Sequence, residues 1–124
     1  MLGDSQIMAF VSTADLERAR AFYADTLGLR QLDVNPYACV FDANGTALRV
    51  TAAETVTPAP YTVLGWRVHD ITAKVRALHE RGVTTLRYGG MNQDDDGIWT
   101  TPSGDRVAWF RDPDGNVLSM TEFR

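Results

Sequence analysis

Val107-Ala-Trp-Phe-Arg-Asp-Pro-Asp-Gly-Asn-Val-Leu-Ser-Met-Thr-Glu-Phe123 is the stretch whose reading decides the fold. Apolar residues flank Asp112-Pro-Asp-Gly-Asn116 on both sides. The five middle residues supply proline's fixed φ and the positive φ that Gly and Asn tolerate, so the stretch is predicted to be a β-hairpin. On the return strand, alternation puts Val117, Ser119 and Thr121 on one face and Leu118, Met120 and Glu122 on the other. A face of small polar residues is either half-solvated or part of a cavity wall.

Upstream, the pattern occurs twice. Gln6 to Ser12 reads as a strand, and from Asp15 the residues Leu16, Ala19, Phe22, Tyr23 and Leu27 fall at helical spacing up to Gly28. Residues 29–34, 37–42 and 46–51 then read as strands, the last two joined by Asn44-Gly45. Pro58-Ala-Pro60 interrupts as a stiff linker. A strand at 61–68 follows, then a helix from Asp70 to Gly82 with Ile71, Val75 and Leu78 on one face, then strands at 84–88, 107–111 and 117–123. The insertion 89–105 carries a possible extra strand at 98–101. The expected class is α+β: one domain, 1–124, made of two tandem βαβββ modules, 1–57 and 61–124, whose half-barrel mixed sheets form a cup.

Composition narrows the function. The chain has 124 residues, 44% of them hydrophobic and 23% charged, which suits one globular domain. No apolar run approaches the ~20 residues that span a bilayer, so no membrane role is expected. The start lacks a secretory signal pattern, which points to the cytoplasm. A formal charge of −4 without a basic stripe argues against nucleic acid. The single cysteine, Cys39, sits in an apolar run and reads as a core residue.

Three pieces in order, Asp15-Leu-Glu-Arg-Ala-Arg-Ala-Phe-Tyr-Ala-Asp-Thr-Leu-Gly-Leu29, Leu64-Gly-Trp-Arg-Val-His-Asp-Ile71 and Trp109-Phe-Arg-Asp-Pro-Asp-Gly-Asn-Val-Leu118, resemble the vicinal oxygen chelate superfamily. Its members include glyoxalase I, bleomycin-resistance proteins and extradiol dioxygenases. The resemblance implies paired βαβββ modules, a homodimer, and a pocket that in the enzymes holds a divalent metal on His, Gln or Glu. Carried onto this chain, the ligand positions fall on Met8, Arg49, Leu64 and Ser119. A thioether, a guanidinium, an alkane and a neutral hydroxyl are poor partners for such a cation, so no metal and no other cofactor is expected.

The expected ligand pocket comprises Met8, Phe10, Tyr37, Arg49, Leu64, Trp66, Gln93, Trp99 and Ser119, with Leu64 and Trp66 beside Ser119 and with Gln93 and Trp99 on a lid. These residues suit a small aromatic or apolar molecule held by stacking and a few polar contacts. Arg49 needs an acceptor, either a structural carboxylate such as Glu54 or an anionic group on a ligand. The Asp94-Asp-Asp96 run reads as a solvated turn. The alternative is a glyoxalase-type lyase, isomerase or dioxygenase with a non-standard or metal-independent site, using Tyr37, Glu54 or Tyr88 as acid and base. No catalytic residue is assigned.

Overall fold

The computed structural model describes residues 1–124, which divide into two compact units, Met1–Thr57 and Pro58–Arg124. In the first unit, β1 (Met8–Thr13) leads through N-cap Asp15, whose side chain accepts from the Arg18 amide, into α1 (Leu16–Arg20). The helix does not stay α-helical to Gly28, as its spacing alone predicts. It widens into a π-helical segment, Ala21–Thr26, in which the Leu27 amide reaches back to the Phe22 carbonyl at 2.9 Å. Three strands follow: β2 (Arg30–Asn35), β3 (Ala38–Ala43) and β4 (Thr46–Ala52).

The sheet order is β1-β4-β3-β2, with β1 parallel to β4 and the other pairs antiparallel. One face carries Val11, Cys39, Phe41, Leu48 and Val50, buried together with Ala19, Phe22 and Tyr23 from the helical segment. Tyr23 packs on both Phe22 and Phe41. This is the unit's core, and the alternate residues of every strand lie on the opposite, open face.

The second unit repeats the plan: β5 (Thr62–Arg67), α2 (Ile71–Glu80), β6 (Trp99–Thr100), β7 (Arg106–Arg111) and β8 (Val117–Glu122), in sheet order β5-β8-β7-β6. Ile71, Val75 and Leu78 bury one stripe of α2 near Ala108, Phe110, Leu118 and Met120. Glu122 reaches back to accept from the Ile71 amide at 3.0 Å and lies 3.7 Å from Arg106, whose guanidinium also donates to Thr72. Asp70, the N-cap, accepts from the Ala73 amide.

The hairpin 106–122 forms as the opening stretch predicts. Asp112 is its centre: Oδ1 accepts from the Asp114 and Asn116 amides at 3.0 and 2.9 Å, and Oδ2 accepts from the Asn116 side-chain amide at 2.9 Å. The expected strand at 84–88 does not form. Residues 84–88 make one backbone bond to β7, from the Leu86 amide to the Trp109 carbonyl, and β6 takes the next part of that edge. The insertion reaches the edge because it is folded on itself. The Asp94 carboxylate accepts from the Asp96 and Ile98 amides, and Gly97, at φ +84°, passes so close to Thr85 that a Cβ there would overlap its side chain.

Candidate functional site

With the helix on one side of each sheet, chemistry has the other side available. In the first unit the open face is ordered by register: Phe10, Arg49, Val40 and Asp33 form one row across the four strands, and Met8 and Ala47 begin the next. Met8 and Phe10 are 51% and 56% exposed. Arg49 is half-buried, and neither Glu54 nor any other carboxylate forms an ion pair with it. Tyr37 lies in the turn between β2 and β3, 76% exposed, with its amide on the Asn35 side chain, and so stands at the end of the sheet rather than on this face.

In the second unit the corresponding row is Gly65, Ser119 and Trp109, with Arg67, Thr121, Val107 and Trp99 in the next. Trp109 stacks on Trp99 at 6.3 Å between ring centroids and receives the edge of Tyr88 at 5.3 Å. Beside this aromatic group Ser119 is 8% exposed, and its hydroxyl makes no hydrogen bond within the chain. Gly65 lies directly beside Ser119, and a Cβ at that position would stand 3.0 Å from the Ser119 Oγ. The glycine therefore leaves room for the unpaired hydroxyl, in a row that continues to the Trp109 indole. Arg67, at the margin, lies over the Phe123 ring at 5.2 Å.

Register corrects one expectation. Leu64 pairs with Leu118 and Trp66 with Met120, so both point to the helix-covered face, where Trp66 stacks near Phe110 at 6.5 Å. They do not accompany Ser119. A single residue separates Leu64 from the open face, and side chains alternate with period two, so a one-place shift in alignment reversed the assignment. Gln93 is the second difference. Its amide is committed to the backbone: Nε2 donates to the Leu86 and Gly97 carbonyls and Oε1 accepts from the Tyr88 amide, all at 2.8 Å. It ties the insertion to the segment before it. Trp109 and Tyr88, which are not among the expected pocket residues, form the aromatic group together with Trp99. The hairpin alternation already placed Trp109 opposite Ser119, had the pairing been followed across the turn.

The family-model comparison matches residues 6–120 to the Glyoxalase/Bleomycin resistance protein/Dioxygenase superfamily. The chain belongs to this superfamily. No curated protein matches it closely enough to add a narrower assignment. Among solved structures, TnmS3, an antibiotic binding protein from Streptomyces sp. CB03234, is 28% identical with a TM-score of 0.72, covering 98% of each chain. A superfamily member from Sphaerobacter thermophilus DSM 20745 is 26% identical with a TM-score of 0.72, covering 94% of this chain and 97% of that one. A lactoylglutathione lyase from Agrobacterium tumefaciens, 19% identical over 95% and 93% of the two chains with a TM-score of 0.73, shares the fold.

The divalent metal of the superfamily's enzymes is a separate matter of donors. Met8 and Arg49 on the first open face and Gly65 and Ser119 on the second offer one neutral hydroxyl between them. No group of three or more His, Cys, Asp and Glu side chains is placed to hold an ion. That donor set does not fit a hard divalent cation, which takes carboxylate, carbonyl or imidazole ligands. His69 and His79 are exposed, and His79 Nε2 lies 3.5 Å from the Thr85 hydroxyl. The three aspartates of the insertion are engaged as a turn: Asp94 with backbone amides, Asp96 with Arg76 at 3.5 Å, and the Asp95 carbonyl with Arg87.

Proposed function

We propose that this protein is a small-molecule binder of the bleomycin-resistance type, taking an aromatic or apolar ligand against the Trp109 face without a divalent metal and working as a homodimer. The observation that carries the reading is Trp109 itself, in ring contact with Trp99 and Tyr88 and beside the unpaired Ser119 hydroxyl. An indole fixed by two aromatic neighbours presents its remaining surface without paying further side-chain entropy, and the hydroxyl supplies one directional polar contact. The antibiotic binding recorded for TnmS3 is consistent with this use of the fold.

Titration of intrinsic tryptophan fluorescence with planar aromatic compounds tests the reading. Binding is expected to weaken by about tenfold or more in Trp109→Ala, in line with ~1–3 kcal/mol for stacking on one aromatic ring. Substitution of Trp66, on the helix side, should leave affinity within about twofold, as expected for a residue away from the ligand. No quenching by any planar compound, together with stoichiometric metal in the purified protein, would instead favour a glyoxalase-type lyase, isomerase or dioxygenase.

A further inference from the structure

The open face of the first unit holds a cation that has no partner. Arg49 stands in the middle of β4 with Phe10 beside it on β1 and Val40 beside it on β3, so both cross-strand neighbours are apolar. The carboxylates of that face are engaged elsewhere. Asp42 accepts from the Gly45 amide at 2.7 Å and pairs with Arg30 at 3.4 Å, while Asp33, beyond Val40 and so about 10 Å away across two strand spacings, accepts from the Asn35 side chain at 3.3 Å. Arg49 is half-buried between apolar side chains and has no acceptor in the chain, and its planar fork of donors matches a carboxylate in two parallel bonds. Phe10, 56% exposed in the same row, offers a ring surface next to it.

We infer that Arg49 receives the anionic group of an aromatic carboxylate whose ring lies against Phe10. The inference goes beyond the reading above, because Arg49 and Phe10 lie on the first unit and Trp109 on the second, and it specifies an anionic class of ligand although the chain as a whole is acidic. The other charge of the row, Asp33, lies about 10 Å from the guanidinium, too far to pair with it, so the guanidinium selects locally for negative ligands.

Calorimetric titration of the full chain with 2-naphthoate and with 2-naphthamide, matched in ring and differing in charge, tests it. The wild type is expected to bind naphthoate about tenfold more tightly than the amide, as a forked charge-assisted contact requires. In Arg49→Met, which keeps the apolar stem, that preference should fall to about twofold or less while the amide affinity holds, because only the charge contact is lost. Arg49→Lys, which keeps charge and length and guards against misfolding of the first variant, should retain only part of the preference because the ammonium cannot fork. Lys74→Met, which removes an exposed cation on α2, should keep all of it. Equal binding of the two compounds by the wild type, or a preference that survives both Arg49 variants, overturns the Arg49 assignment and leaves aromatic binding standing. Binding of neither compound overturns it as well, and leaves the Trp109 reading to its own fluorescence titration.

Discussion

Gln93 shows how much a residue's role depends on what surrounds it. In a long insertion, a glutamine reads as a ligand contact; in the fold, its amide closes three backbone bonds at 2.8 Å. Gln93→Leu is therefore expected to destabilise the protein by about 2–3 kcal/mol, because half-buried backbone groups are left without partners. Urea unfolding measures this, and a variant of unchanged stability but weakened ligand binding would return Gln93 to the ligand. Cys39 is the opposite case, since its apolar neighbours foretold burial and it is 1% exposed. Burial pushes its thiol pKa up, with Arg20 opposing the shift more weakly. The sign follows: the raised folded-state pKa makes a stability contribution that is complete below the unfolded thiol's pKa of about 8.5 and is lost as pH rises through the higher folded value. Iodoacetamide at pH 8.5 should label the native thiol far more slowly than the urea-unfolded one, and equal rates would show that the thiol is accessible.

Among the elements, the hairpin turn was the most legible and the edge beside β7 the least. Asp-Pro-Asp-Gly-Asn specifies its own conformation through contacts within five residues, with Asp112 accepting three hydrogen bonds. Asp112→Ala should cost about 3 kcal/mol, allowing for bonds to a charged acceptor whose donors stay buried. The thermal midpoint should then fall by about 10 °C, whereas a shift within about one degree would mean that water replaces the carboxylate. Residues 84–88 carry the alternation of a strand, yet β6 takes part of their place. Pairing along β7 was a competition between two nearby segments, and the fold of the insertion around Asp94, Gly97 and Gln93 decided it. The π-helical segment 21–26 is equally unreadable from spacing, which hardly separates i+4 from i+5 over so short a run.

For the whole molecule, each unit buries one sheet face under its helix and leaves apolar side chains outside that core. Leu32, Val34 and Val63, on the exposed edge strands β2 and β5, are among the large side chains left in solvent. Exposed strand edges bearing apolar residues favour association. Sedimentation velocity at micromolar concentration should find a particle of twice the chain mass, and a monomer at every concentration would remove the homodimer. What the sequence determined by itself is what local chemistry controls: the duplicated βαβββ order, the turn residues, the helix caps, the buried stripes of both helices and the superfamily. Alternation along the last strand also put Ser119 on the face opposite Leu118 and Met120, a short-range property. What only the tertiary structure decided depends on pairing between strands distant in the chain. Which face Leu64 and Trp66 share, which aromatic rings meet at Trp109, and whether Arg49 has a partner are matters of register, and a shift of one residue reverses them.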